Sequence, residues 1–391
     1  MKFSVHNLVK EQEQYVVAMR RHFRQRPELG GQEYETQKKI IAELRSMGLE
    51  PRPAAGTGVI AEITGSRPGP TVAIRADIDA LPIQDEIDQP YRSENAGLCH
   101  ACGHDGHTAM LLTIARVFSA MRTELAGNIR LLFQPSEERF PGGALPMIAD
   151  GALRGVAAVI GAHLWQPLAA GTMGITYGPM MASPDEFTIT IQGRGGHGSM
   201  PQQTIDPIYV GAQIVLALKT ITGNQISTNE LAVLSLGAFK AGEVFNIIPD
   251  TAVLQGSVRT FSPQVREKIF ASIEQICAGI CAAAGAAYTL ANCNGYPPVI
   301  NNPRLAGVVA LAGKAVLGAD QVIEISPVMG AEDFSRYQEQ VPGCFLFMGI
   351  GNKEKGIIYP HHHPKFDMDE QALVHGVEVM VEAALRLLQK T

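Results

Sequence analysis

Hydrophobic positions fall into two textures along the chain. In the first, helical spacing of apolar residues predicts helices over Glu11 to Gln25, stopped by Pro27 and Gly30-Gly31, and over Thr36 to Met47, ended by Gly48. Val59 to Thr64, Thr71 to Ala76, Asn128 to Phe133 and Ala157 to Ala162 alternate or run apolar between Gly and Pro signals, which predicts strands. The apolar run Met110 to Phe118 reads as a buried helix. The texture changes near Ser183. A half-exposed strand over Phe187 to Gln192 is followed by a helix over Thr204 to Thr222, strands over Leu231 to Lys240 and Ala252 to Thr260, a helix over Pro263 to Ala284 and a strand over Ala286 to Ala291. That order, β-α-β-β-α-β, is the ferredoxin-like pattern. The first texture then returns with a helix over Arg304 to Leu317, a strand over Cys344 to Gly349 and a helix over Asp369 to Gln389. The expected organisation is a discontinuous α/β domain, residues 1–182 and 295–391, into which an α+β domain, residues 183–294, is inserted.

Three predicted strands of the first texture end on polar groups. Asp77-Ile78-Asp79 follows one, Gln134-Pro135-Ser136-Glu137-Glu138 a second, and His163 a third. Carboxyl ends of strands are where α/β sheets place their ligands. Between them lies Cys102-Gly103-His104-Asp105-Gly106-His107, a glycine-spaced loop ahead of the buried helix. Thiolate and imidazole side by side suit a divalent transition metal. Cys102, His104, Glu138, His163 and His362 exceed one tetrahedral site that keeps a position open for water, and they fit two metals sharing a bridging ligand, a role a thiolate can take. Glu137, beside Glu138, is then the candidate general base. Read alone, the Glu137-Glu138 pair is also what a solvated acidic turn looks like. In the inserted stretch, Gly193-Arg194-Gly195-Gly196-His197-Gly198-Ser199 presents His197 on an exposed loop. It lacks the Lys-Ser/Thr of a phosphate loop, and no G-x-S-x-G elbow occurs in the chain.

Composition narrows the setting. The 391 residues carry a net charge of −6, which argues against nucleic acid as the main partner. Charged residues make up 18%, below the roughly 25% of an average soluble protein, so a surface buried in an oligomer is expected. Met1 to Lys10 has no apolar signal core, and Met110 to Phe118 and Ile208 to Leu218 are too short to span a membrane. Six cysteines show no disulfide framework, and a free thiolate at Cys102 needs a reducing compartment, so the expected location is cytoplasmic.

Ten stretches together resemble the M20 metallopeptidase family, in its amidohydrolase branch of hippurate hydrolases, N-acyl-amino-acid amidohydrolases and plant auxin-conjugate hydrolases. They are RRHFRQRPELGGQE near the N-terminus, RADIDALPI at 75–83, HACGHDGHTAMLL at 100–112, QPSEE at 134–138 and GAHLWQP at 161–167. GRGGHGSMP at 193–201, FNIIPD at 245–250, GSVRTF at 256–261, MGAEDF at 329–334 and HHPKFDMDE at 362–370 complete the set. The resemblance implies a zinc-peptidase-like α/β catalytic domain, its mixed sheet flanked by helices, with an inserted ferredoxin-like lid and dimerisation domain. It implies Cys102 as the bridging thiolate and His104, Glu138, His163 and His362 as the other ligands of two divalent ions, zinc or manganese. His362 is chosen among three adjacent histidines because the branch reads His-x-Pro and Pro364 fixes the register. Glu137 resembles the general acid/base, Asp79 the carboxylate that orients a ligand, and His197 the lid histidine that reaches the substrate carbonyl across a homodimer. Asn246 and Arg259 match lid positions that meet the substrate. One departure stands out: Arg24 occupies a position where the branch carries His. The expected reaction is hydrolysis of the amide of an N-acyl amino acid by a metal-activated water, with Glu137 as base. A dinuclear-metal phosphoesterase and a catalytically silent metal-binding module are the alternatives.

Overall fold

The computed structural model describes residues 4–293 and 295–390. The chain divides into two compact units: Met1–Met180, Ile300–Ser326 and Asp333–Thr391 form the first, and Met181–Val299 with Pro327–Glu332 the second. Asn294, the end of the expected insertion, lies outside the described residues.

The first unit is built on an eight-stranded mixed sheet. In spatial order its strands are Arg52–Ala54, Gly58–Thr64, Ala126–Gln134, Arg67–Asp77, Val156–Ala169, Gly343–Gly351, Met173–Ile175 and Val322–Glu324. The central ladders are parallel: Arg67–Asp77 pairs this way with both neighbours, and Gly343–Gly351 with Val156–Ala169. Parallel strands need cover on both faces and so read as continuous apolar runs, which is why the last seven residues of Arg67–Asp77 are all buried. The helix His104–Met121 supplies much of that cover; 15 of its 18 residues are buried, as expected of a helix apolar on all sides. Pro303–Leu317 and Gln371–Lys390 pack into the same core through Val309, Ala312, Val377 and Leu387.

The second unit is a four-stranded antiparallel sheet, in the order Ala232–Ala241, Thr251–Thr260, Ser183–Gln192, Ala287–Cys293. Taken in chain order these occupy positions three, one, two and four, the ferredoxin-like arrangement. Burial alternates along Ser183–Gln192, and Ile189 and Ile191 pack with Val210, Ile214, Ile269 and Ile273 of the helices Pro207–Thr220 and Pro263–Ala284. Both helices begin with a capped proline. Asp206 accepts from the Ile208 and Tyr209 amides, and Ser262 from that of Val265.

Two expectations need correction. The strand read as stopping before His163 runs from Val156 to Ala169, because Gly343–Gly351 pairs along it and sets Phe347 opposite His163. The motif read as a loop ahead of a helix is partly helical already, since the helix starts at His104. The helix Val5–Lys10 and the strands Arg52–Ala54, Met173–Ile175 and Val322–Glu324 are too short to show a period in sequence. Among the described residues no helix is long and apolar enough to cross a membrane.

Candidate metal centre

Gly103 takes φ 95° at the N-cap of the helix His104–Met121, a left-handed turn that a side chain would disfavour. The turn leaves Cys102 just ahead of the helix and puts His104 and His107 on its first turn. Three residues apart, they share a face, and their rings stack with centroids 5.3 Å apart. The ends of Arg67–Asp77 and Ala126–Gln134 bring Asp77, Asp79, Glu137 and Glu138 alongside, and His163 projects from within Val156–Ala169.

Ligand atoms of Cys102, His104 and His163 lie within 4.8 Å of one another, and so do those of Cys102, Glu138 and His362. The Cys102 Sγ belongs to both triads. It stands 3.4 Å from His163 Nε2, while Glu138 Oε1 is 3.2 Å from His362 Nε2 and 3.9 Å from His104 Nε2. His104 Nδ1 donates to the Asp79 carbonyl at 2.9 Å, with Asp79 Oδ1 at 3.2 Å. His163 Nδ1 donates to the Leu164 carbonyl at 2.9 Å. In its neutral form each ring would therefore present a bare Nε2 lone pair to the site. His104 Nε2 is buried with no hydrogen-bond partner, and Glu138 Oε1, also buried, meets only the ion-pair contact with the His362 ring at 3.2 Å. Buried polar atoms left unsatisfied are costly and call for an explanation, and divalent cations at this cluster would supply one.

The electrostatics point the same way. Burial pushes His104 down, yet the carboxylates of Asp77, Asp79 and Glu138 outweigh it and raise the imidazole to about 10. The pocket thus favours positive charge at that spot. Burial, with Glu138 and Glu137 beside it, holds the Cys102 thiol well above its ordinary value, so a thiolate there requires a cation next to it. Burial keeps His163 neutral, as a metal ligand must be.

Two positive-φ residues aim the site's acidic and basic arms. Ser136 (φ 55°) precedes Glu137, and its amide donates to Glu33 Oε1 at 2.9 Å. His362 (φ 64°) is fixed by its own amide, which donates to the Ala101 carbonyl at 2.9 Å. Such backbone strain in non-glycine residues gathers at functional sites. The neighbours of His362 are otherwise engaged. His361 Nε2 accepts from the Gln166 amide, and His363 stacks on Tyr359 and accepts from the Lys365 amide. Glu137 is buried and groups with His104 and Glu138.

His107 is a residue that sequence reasoning passed over. Its Nδ1 donates to Asp77 Oδ1 at 2.5 Å and its Nε2 accepts from the Leu164 amide at 2.9 Å. With both nitrogens committed it cannot ligate; it ties the helix start to the backbone next to His163. The H-x-x-H spacing was the available signal. Arg24, the departure from the branch pattern, is fully buried, forks onto both oxygens of Asp85 at 2.9 and 3.0 Å, and donates to the carbonyls of His100 and Phe366. It braces the segment that carries Cys102.

Within the second unit, Gly196–His197 forms a short antiparallel ladder with Ile247–Ile248, and the Gly198 amide donates to the Asn246 carbonyl at 2.9 Å. His197, on that ladder, and Asn246, in the turn just ahead of it, are both exposed. The Ser199 amide donates to His197 Nδ1 at 3.1 Å, which leaves the proton of the neutral ring on Nε2. Arg259, half-buried on Thr251–Thr260, lies across from Val233 and Pro184.

Residues 73–386 match peptidase family M20/M25/M40. The N-acyl-L-amino acid amidohydrolase of Geobacillus stearothermophilus is 48% identical over 301 residues, covering 77% of this chain and 81% of that protein. The N-acetyl-L-cysteine deacetylase of Bacillus subtilis is 41% identical over 382 residues, covering 96% and 89%. The crystal structure of the Bacillus subtilis YxeP protein, a dinuclear metal binding peptidase of the M20 family, superposes with a TM-score of 0.87. It is 37% identical and covers 98% of this chain and all of that one.

Proposed function

The chain belongs to peptidase family M20/M25/M40, and on that premise we propose that it hydrolyses the amide bond of N-acyl amino acids to a carboxylic acid and a free amino acid. It is a metal-dependent amidohydrolase acting on small-molecule amides, with two divalent ions per chain as its cofactor. The observation that carries the reading is the pair of donor triads meeting at one sulfur. Cys102, His104 and His163 would hold one ion and Cys102, Glu138 and His362 the other, with zinc and manganese both suited to the donors.

When bound, the two ions polarise the acyl carbonyl and acidify water near neutral pH. The chain does the rest. Glu137 takes the proton of the attacking water and returns it to the leaving amine. His197, whose Nε2–H faces outward, donates to the oxyanion as it develops. Asn246 and the planar fork of Arg259 hold the substrate's polar end, Arg259 its carboxylate. Asp79 fixes the ring of His104.

The protein works in the cytoplasm as a homodimer joined through the second unit, and His197 acts on its partner's centre. Support comes from Tyr209 and Leu216 on the outer side of Pro207–Thr220, which are 65% and 73% exposed, and from Leu231 and Val233 at the edge strand Ala232–Ala241. An apolar edge of this kind is a surface that a copy of the chain can cover.

Replacing Glu137 with Gln tests the reaction. The amide keeps the shape but cannot accept the proton. Turnover of N-acetyl or N-benzoyl amino acids is expected to fall by about 10²–10⁴-fold while both ions stay bound. Release of phosphate from aryl phosphates, with no amine release, would move the protein to the phosphoesterases.

A further inference from the structure

Glu33 is a fully buried carboxylate of the first unit that the proposed reaction leaves without a role. No cation pairs with it among the described residues, and a carboxylate taken out of water without one is costly to keep. It stands at the N-cap of the helix Tyr34–Ser46, where a side-chain oxygen ordinarily accepts from the helix's own first amides, yet it makes no such bond. Glu28 takes that duty instead, accepting from the amides of Glu35 and Thr36 at 3.2 and 2.8 Å. The Glu33 side chain is turned elsewhere. Its Oε1 accepts from the Ser136 amide at 2.9 Å and its Oε2 from the buried Thr57 hydroxyl at 2.5 Å.

The turn it holds is the one that carries Glu137. On the far side, Asp79 Oδ2 accepts from the Glu138 amide at 3.0 Å. The amides immediately before and after Glu137 are thus each bound by a buried carboxylate. The backbone there is closely packed as well. A Cβ on Gly30 would stand 3.1 Å from Ser136 Cα, and one on Gly58 2.7 Å from Pro135 Cδ. Ser136 keeps φ 55°, a conformation that persists in a non-glycine residue only where its surroundings over-determine it. We propose that Glu33, steadied by Thr57, is a positioning residue for the general base: with Asp79 it fixes both flanks of Glu137 and so sets where that carboxylate stands. The proposal rests on the reading that Glu137 takes the proton of the attacking water. Glu33 acts through the Ser136 backbone and takes no part in bond cleavage.

The test compares variants as folded, metal-loaded chains, with metal content and urea midpoint measured beside N-acetyl-alanine turnover. Glu33→Ala releases the Ser136 amide. Its kcat is expected to fall by up to about 100-fold, the scale of a misplacement of about 1 Å at a reacting group, with KM within about twofold of wild type and metal content unchanged. In crystals of that variant the Glu137 carboxylate should be displaced. Glu33→Gln can accept from the Ser136 amide and donate to the Thr57 oxygen, so it is expected to recover most of the loss. Thr57→Val, close to isosteric, should fall part of the way, and Thr57→Ser should recover. In a Glu137→Gln background, where the base is already gone, Glu33→Ala should lower kcat no further, because the two losses share one cause. A full additive loss in that background, an unmoved Glu137 carboxylate, or an unchanged kcat in both Glu33→Ala and Thr57→Val overturns the proposal and leaves the parent reading intact. Should Glu33→Ala fail to fold, the same cycle is run with Thr57→Val. Near-full turnover by Glu137→Gln alone overturns the parent reading and the proposal with it.

Discussion

Cys102 concentrates the demands of the centre in one atom. Its sulfur is common to both donor triads, so its loss weakens both positions at once, unlike the loss of any other candidate ligand. Cys102→Ser puts a neutral hydroxyl where a charged bridge is needed. Metal affinity is expected to drop by more than the roughly 10–100-fold that loss of an outer partner costs. Metal content after desalting should fall from two ions per chain to below one; retention of two would remove Cys102 from the ligand set. The proposed ligands were readable because they sit in short runs with glycine or proline around them. What surrounds them was not. Arg24 reaches Asp85 and His107 reaches Leu164, and a sequence does not display contacts between segments so far apart. For the same reason the commitment of both His107 nitrogens emerges only once the chain is folded.

At the level of elements, the long strands and helices carried their period plainly, and Pro263–Ala284 keeps the bounds its pattern predicts, with Gly285 left-handed at its C-cap. Strand ends were less legible, because pairing partners set them. His163 sits inside its strand only because Gly343–Gly351 extends the ladder past it. The start of the helix His104–Met121 offers a test of packing against propensity. Gly106→Ala in an exposed helix stabilises by about 1 kcal/mol. Here a Cβ would stand 2.3 Å from Leu164 Cδ1 and 3.1 Å from both Leu373 and Met368, three fully buried side chains. Overpacking wins, and a loss of about 1–3 kcal/mol is expected, read as a lower urea midpoint. Because Leu164 adjoins His163, metal retention should suffer too. A midpoint at or above wild type would show that the core yields there.

For the whole molecule, the change of texture near Ser183 set the expected insertion at 183–294, while the second compact unit spans Met181–Val299 with Pro327–Glu332; the order of strands in the large sheet was not legible, because Gly343–Gly351, late in the chain, pairs with Val156–Ala169 inside the sheet. Action of His197 across a dimer is tested by subunit exchange. A His197→Ala chain and a Glu137→Gln chain, each inactive alone, are mixed. Half of randomly exchanged dimers hold one site with intact Glu137 and a partner's intact His197. Activity is therefore expected to return to roughly a quarter of wild type in a two-fold dimer. No recovery despite proven heterodimers would confine His197 to its own chain or to no role.

The central place of Gly343–Gly351 also governs how the protein emerges from a ribosome. Its parallel partner, Val156–Ala169, is synthesised roughly 170 residues earlier. At about 5–20 residues per second, that strand waits some 10–35 s with an open, largely apolar edge. During that interval the second unit, whose strands and helices are contiguous in the chain apart from Pro327–Glu332, can close its own core. The nascent chain is thus most exposed to aggregation while its smaller unit is already complete, and a stalled or truncated product lacking the last fifty residues would carry that bare edge permanently.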